Sequence, residues 1–498
     1  MFYKSTRGGE GKNVKASEAI IRGGIAEDGG LYVPEEFPKI GKSFKELANM
    51  DYKELAFYIM KKYFDDFDEK ELKECIDKAY DSKFENALIA PLSYKAGTYF
   101  LELYHGKTLA FKDIALSILP PHLLKVSAKK MNITEEIVIL TATSGDTGKA
   151  ALEGFDSVEG TKIIVFYPKD GVSEIQKRQM VTQEGKNTLV VGIDGNFDDA
   201  QSGVKEIFND KKFNEILKEN RYMFSSANSI NIGRLVPPQI VYYVYSYVNL
   251  IKDKKIVDGE SINIVVPTGN FGNILAAFYA KNMGIPVGKL ICASNENKVL
   301  TDFINTGVYD RKRNFSITNS PSMDILISSN LERFLYEISG RDSHIIKNLM
   351  LELKENGKYE ITEKMKKRLD ILYGDYADEE ETLKAIEKVY KTFNYIIDTH
   401  TAVAYRVYEK YKNKTKDNKV TIIASTASPF KFPRSINEVL NIASENSSDF
   451  ELINLFPYKL NLKLPKGLEG LDKKEICHRV TCKKDEMGKV IKNFLGGV

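Results

Sequence analysis

From residue 136 onward the chain alternates short apolar, β-branched runs with stretches of helical spacing. The runs 136–142, 162–167 and 188–193 read as strands, with helices beginning near Gly148, Ser173 and Asp198. This rhythm forces parallel pairing, because neighbouring parallel strands cannot be joined by a tight turn and need a crossover. It returns in 261–267, 289–294 and 419–425, with helices expected from Asn273, Met323 and Thr401. The expected fold is α/β: two open lobes with parallel or mixed sheets, and a ligand between them at the carboxyl ends of the strands. The smaller lobe is expected over about 130–225 and the larger from the remainder of 86–498. Residues 1–85 carry a short STRG segment, a turn-rich AEDGGLYVPEEFP stretch and then helical patterns, and read as an amino-terminal module packed on the rest. The charged stretch of about 340–391 reads as a solvated helical insertion, and the tail from about 447 is uninformative.

At 498 residues the chain is long enough for two or three domains and a large core. Its 72 basic and 69 acidic residues nearly cancel, which leaves no electrostatic footprint for nucleic acid. Four scattered cysteines, Cys75, Cys292, Cys477 and Cys482, suit a reducing compartment rather than a disulfide scaffold. Cys477 and Cys482, with His478 between them, lack the second half of a zinc site. The polar start, MFYKSTRGGEGKN, has no apolar core and is not a secretory signal. The longest uncharged run, 235–251, is about 17 residues and includes Pro237 and Pro238, so it reads as a buried, tyrosine-rich helix rather than a membrane span. The expectation is a cytoplasmic protein with a small-molecule substrate and no nucleic-acid or membrane partner, as a monomer or homodimer.

Five stretches carry the chemistry. In LELYHGKTLAFKD, 101–113, Lys112 sits between Phe111 and Asp113, flanked by Leu109-Ala110 and Ile114-Ala115-Leu116. A free lysine amine has a pKa of about 10.4, so holding it neutral at pH 7 costs roughly 4 to 5 kcal/mol unless burial or an imine supplies the difference. Such a lysine can form a Schiff base with an aldehyde and act as a base once released. By itself it could equally snorkel from the first turn of a helix, with Asp113 as a first-turn carboxylate. TATSGDTG, 141–148, follows a strand and opens a helix, presenting hydroxyls and backbone N–H groups suited to a carboxylate or phosphate. It is not a nucleotide phosphate loop: setting Gly148-Lys149 on the required GK puts Thr143 where the first glycine belongs and Ala150 where a magnesium-binding hydroxyl belongs. Gly106-Lys107-Thr108 fails the same test, with Leu101 at the first glycine. TGNFGN, 268–273, lies on another strand-to-helix turn, where two glycines leave the backbone open to a close-approaching anion. It lacks GxGxxG spacing, which favours a monophosphate over a dinucleotide, and a plain turn reads the same way. SSANSINIGR, 225–234, adds amides, hydroxyls and one arginine suited to a phosphate or carboxylate. STASP, 425–429, offers Thr426, a neutral hydroxyl for a ring nitrogen; either stretch could be an ordinary cap or turn. Together, an aldehyde-binding lysine, two separate anion cradles and a small hydroxyl at a strand end are the parts a pyridoxal phosphate enzyme requires.

These motifs, in this order, resemble the threonine synthase family in its long bacterial and fungal form, within the fold-type II pyridoxal phosphate enzymes. The likeness runs through STRG, AEDGGLYVP, HGKTLAFKD, LTATSGDTG, SSANSINIGR, VPTGNFGN, DTHTAVAY and STASPFKF. It implies two lobes of the tryptophan synthase β kind, with pyridoxal 5'-phosphate held by Lys112 as an imine beside Phe111. It implies a phosphate seat at Gly269, Asn270, Phe271, Gly272 and Asn273, Thr426 at the pyridine nitrogen, and Asp146 on the cofactor-hydroxyl side. Thr143, Ser144 and Thr147 would line the substrate carboxylate, and Asn228, Ser229, Asn231 and Arg234 the substrate phosphate. The implied reaction converts O-phospho-L-homoserine and water to L-threonine and phosphate, a β,γ-replacement by a carbon–oxygen lyase at the last step of threonine biosynthesis. Lys112 would be its general base and acid.

Two residues depart from the family pattern. Lys107 replaces the usual proline of the HGKTLAFKD segment, either adding positive charge near the phosphate or pointing outward. Ser428 replaces the usual histidine of the STAHP-type turn and leaves Thr426 in place. His400, on an apolar helix, reads as a structural or pocket-wall histidine. The rival within the fold is a phospholyase-like relative that releases 2-oxobutyrate. From another class, the rival is a catalytically silent ligand-binding protein, against which the intact Lys112 argues.

Overall fold

Each apolar run of the alternating pattern becomes a strand buried on both faces. The computed structural model describes residues 1–9, 13–143, 145–170, 172–226 and 236–497, with the backbone alone at 120, 121, 198 and 226. Every residue of Ile262–Pro267 is buried, and all but the first of Glu136–Ala142. A strand with no exposed face needs cover on both sides, and crossover helices supply it. The larger sheet has six strands in the order Leu372–Tyr376, Val287–Ser294, Ile262–Pro267, Thr421–Ser425, Thr98–Glu102, Leu92–Lys95. Its pairings are parallel except for the outer hairpin of Leu92–Lys95 with Thr98–Glu102. That hairpin closes on Ala96 and Gly97, at φ of +51° and +74°, the two positive values its tight turn demands. The smaller sheet has five strands, all parallel: Val480–Cys482, Thr188–Ile193, Thr161–Pro168, Glu136–Ala142, Tyr222–Ser226.

Most helices begin within two residues of the expected positions, as in Asp146–Phe155, Glu174–Val181, Gly272–Met283 and Thr399–Thr415. The helix expected from Met323 is a correction: Pro321–Met323 is a single 3-10 turn, and the helix runs over Leu331–Ser339. The reason is polar. Asp324 accepts from the Thr318 N–H at 2.9 Å and from the amides of Asn295 and Asn297 at 2.7 and 2.9 Å, which holds the segment as a loop. The charged stretch of 340–391 is helical over Ser343–Asn356 and Glu379–Phe393. Between them, however, Leu372–Tyr376 is the outer strand of the large sheet, so the stretch is woven into that lobe rather than laid on its surface. The tail is a further correction: expected with the larger lobe, it completes the small one, because Val480–Cys482 pairs in parallel with Thr188–Ile193 and the helix Met487–Phe494 buries Met487 and Ile491 in the apolar cluster that includes Val138 and Leu140.

The tyrosine-rich run forms the helix Val236–Lys252, buried along nearly its whole length. It anchors the amino-terminal segment, with Tyr52 edge-on to Tyr245 at 5.2 Å, and Arg7 adds an ion pair to Glu332 at 2.7 Å. No helix among the described residues is long and apolar enough to cross a membrane. The segments that follow the strand ends at Ala142, Pro267 and Ser425 line a single pocket.

Candidate active site

Lys112 is the first residue of the helix Lys112–Leu116, and backbone bonds hold the chain that delivers it. Leu109 sits at φ +63°, the Phe111 N–H donates to the Thr426 carbonyl at 2.9 Å, and the Ser428 N–H donates to the Leu109 carbonyl at 3.0 Å. A leucine in the left-handed region costs roughly 1 to 3 kcal/mol and persists only where its surroundings over-determine it, as this cross-bridge does. Burial pushes the Lys112 ammonium below its ordinary pKa; Asp146 and Asp113 oppose the shift and Lys431 adds to it. Asp113 is turned away, accepting from the Thr108 N–H at 2.8 Å and from the Thr108 hydroxyl, and burial lifts its carboxyl to about 6. Lys112 therefore lines the pocket and does not snorkel to the surface.

The glycine turn faces it. Phe271 caps the helix Gly272–Met283 in the left-handed region, φ +60°, and the amino terminus of that helix lines the pocket. Gly269 admits no side chain, since a Cβ there would lie 2.6 Å from the Ser322 carbonyl oxygen. Asn273 Oδ1 accepts from the hydroxyls of Tyr242 and Tyr243, each at 2.6 Å. Its Nδ2 is then buried with no partner among the described residues. Such a donor costs about 1 to 3 kcal/mol, and a phosphate oxygen at the helix amino terminus would satisfy it. These residues fit the phosphate of pyridoxal phosphate.

The third wall is the turn after Glu136–Ala142. Thr143 Oγ1 accepts from the N–H groups of Gly145 and Gly148 at 2.9 and 2.8 Å and closes the turn on itself. Gly145, at φ +129°, leaves no room for a Cβ beside Gln176. Asp146 is buried as the first residue of the next helix, where the helix dipole favours a carboxylate. Burial alone would raise its pKa, but the ammonium groups of Lys431 and Lys112 hold it well below the usual carboxylate range. Lys431 Nζ lies 2.6 Å from its Oδ1, Gln176 donates to the same oxygen at 2.9 Å, and the Ser322 hydroxyl donates to Oδ2 at 3.3 Å.

The pocket thus brings together Phe111, Lys112, Thr143, Thr147, the turn 269–273 and Thr426, with Asp146 bonded behind it. Ser144, Asn228, Ser229, Asn231 and Arg234 lie outside the described residues. Lys107 points away from the pocket and pairs with Glu153. Ser428 caps the Pro429–Lys431 turn by accepting from the Phe430 N–H at 3.4 Å. His400 is a pocket-wall residue: Nε2 accepts from the Ser322 N–H at 3.1 Å, so Nδ1 carries the hydrogen that it donates to Asp398 at 2.8 Å. Sequence reasoning missed Lys431, Gln176 and Ser322. Lys431 alone carried a signal, a lysine between two phenylalanines in SPFKF.

Three family models match in succession: the threonine synthase N terminus over residues 2–80, pyridoxal-phosphate dependent enzymes over 89–426, and the threonine synthase C-terminal region over 401–493. The chain is 42% identical to threonine synthase-like 1 of Homo sapiens over 448 residues, covering 87% of this chain and 59% of that protein. It thus spans about three fifths of the length of the threonine synthase-like 1 relatives. Threonine synthase of Saccharomyces cerevisiae is 35% identical, with 95% of this chain and 96% of that protein covered. A crystal structure of pyridoxal-phosphate-bound threonine synthase from Brucella melitensis superposes with a TM-score of 0.86 at 32% identity, over 99% of this chain and 98% of that one. Sequence and architecture agree along the whole chain, which belongs to the threonine synthase family, pyridoxal-phosphate dependent enzymes of fold type II.

Proposed function

We propose that this protein converts O-phospho-L-homoserine and water to L-threonine and phosphate. The observation that carries the reading is the convergence of a pocket-lining lysine, a strained glycine turn with an unsatisfied amide donor, and a strand-end threonine on one pocket. When bound, pyridoxal phosphate supplies an electron sink for charge that develops on the substrate carbons. In this reading Lys112 holds the cofactor aldehyde, Phe111 packs beside it, and the N–H groups of 269–273 with Asn273 Nδ2 seat its phosphate. Thr426 faces the pyridine nitrogen and Asp146 the hydroxyl side. Thr143, Ser144 and Thr147 take the substrate carboxylate, and Asn228, Ser229, Asn231 and Arg234 the phosphate that departs from Cγ. Lys112 Nζ accepts and returns protons at the substrate carbons; its setting supports this, because desolvation favours the neutral amine.

The same reading divides the chain into an amino-terminal module over 1–85 and a catalytic region of two lobes, the smaller taking in the tail strand Val480–Cys482. A cytoplasmic setting is supported by four unpaired cysteines, and the assembly proposed is a monomer or homodimer. Product analysis tests the function. Incubation with O-phospho-L-homoserine should yield threonine and phosphate in equal amounts; release of 2-oxobutyrate would replace this reading with a phospholyase, and no product at all would replace it with a binding protein.

A further inference from the structure

The Lys431 side chain lies in a place with no access to water. Its Nζ donates to Asp146 Oδ1 at 2.6 Å and to the Thr108 carbonyl oxygen at 2.9 Å. It stands on the turn that follows a large-sheet strand, whereas Asp146 opens a helix of the small lobe. Packing alone gives a poor reason for this pair, because desolvation of two charges commonly cancels their attraction and apolar residues of similar volume serve as well. The pair does have a third neighbour, Lys112. Asp146 draws Lys112 toward its charged form and Lys431 opposes this. Among the described residues, the other ionisable groups near the pocket are engaged elsewhere: Asp113 on Thr108, Asp324 on Thr318 and Asn295, and His400 between Asp398 and Ser322.

We propose that Lys431 is a positioning residue of the reaction: it holds the Asp146 carboxylate across the lobe boundary, so that this carboxylate does not close on Lys112 and the Lys112 amine stays free for the aldehyde. Gln176 and Ser322 complete the hold as neutral donors to the two carboxylate oxygens. Without the Lys431 charge these neutral donors remain, and among the described residues Lys112 is the cation left to act on Asp146. The inference rests on Lys112 as the reactive lysine proposed above.

The test uses the full-length chain freed of cofactor. The rate of acetylation of Lys112 by acetic anhydride is followed against pH by peptide mass mapping in the wild type, Lys431→Met, Lys431→Arg and Asp146→Asn. The same midpoint is read from the pH dependence of the rate at which added pyridoxal phosphate is captured. Lys431→Met should raise the midpoint by about one pH unit, an about tenfold loss of labelling at neutral pH. Lys431→Arg should keep the wild-type midpoint, and Asp146→Asn should lower it. A folded Lys431→Met with the wild-type midpoint, or a Lys431→Arg that shifts as far as Lys431→Met, overturns the proposal. If Lys431→Met does not fold, Asp146→Asn decides: a midpoint unmoved or raised overturns it. Since no turnover is measured, failure here leaves the product assay standing, and an unexpected product there leaves this result standing.

Discussion

At the scale of single residues, the pocket depends on groups whose charge or hydrogen-bonding capacity water cannot repair. Lys112→Ala should reduce turnover by at least about a thousandfold, as loss of a covalent catalytic group does, with an unchanged melting temperature; an assay of product alongside thermal unfolding checks both. Asn273→Leu should strand the buried hydroxyls of Tyr242 and Tyr243, lowering stability in denaturant by about 1 to 3 kcal/mol and weakening cofactor retention on dialysis. Asp113 gives a pH signature. Burial raises its carboxyl from 3.8 to about 6, so the folded chain binds that proton more tightly than the unfolded chain does. The stability this confers is full below about pH 4 and is lost as pH rises to about 6, a difference of about 3 kcal/mol. Asp113→Asn removes this slope, so from pH 4 to pH 7 its stability relative to wild type should improve by up to about that amount; equal differences at the two pH values would contradict the assignment.

At the scale of elements, the two strand–turn–helix units carry the site, and both were legible because their signals are local. Runs such as INIVVP mark a strand, the following glycines mark a turn, and an apolar helix pattern closes the unit within about a dozen residues. What the local pattern could not show is how tightly the turns are hemmed in. At Gly269 the obstacle is the Ser322 backbone oxygen, which no side-chain rotation can move. Gly269→Ala should therefore displace one of the two loops and cost at least tenfold in cofactor affinity, by about 1.4 kcal/mol or more. Gly160→Ala is the control: it sits at a positive φ, +77°, and meets nothing within 4 Å. It should lose a little stability and keep its cofactor, as measured by fluorescence titration. The helix misplaced to Met323 failed for a related reason, since the Asp324 bonds that hold the segment as a loop come from residues 295, 297 and 318.

At the scale of the whole molecule, the small lobe depends on the far end of the chain. Truncation after Lys474 removes the strand that borders Thr188–Ile193 and uncovers the apolar side chains beneath Met487 and Ile491. The truncated chain should become protease-sensitive within residues 136–226 while the large sheet stays protected, which limited proteolysis with mass mapping reads directly. The amino-acid sequence by itself determined the lobes' building blocks and the motifs that face the pocket, because apolar period, glycine spacing and helix termini act between near neighbours. Only the tertiary structure decided that Lys431 meets Asp146, that Tyr242 and Tyr243 leave one Asn273 donor unsatisfied, and that Val480–Cys482 finishes the small sheet. The free energy of a buried charge, a buried amide or a sheet edge is set by what the fold lays beside it, and those neighbours are distant in the chain.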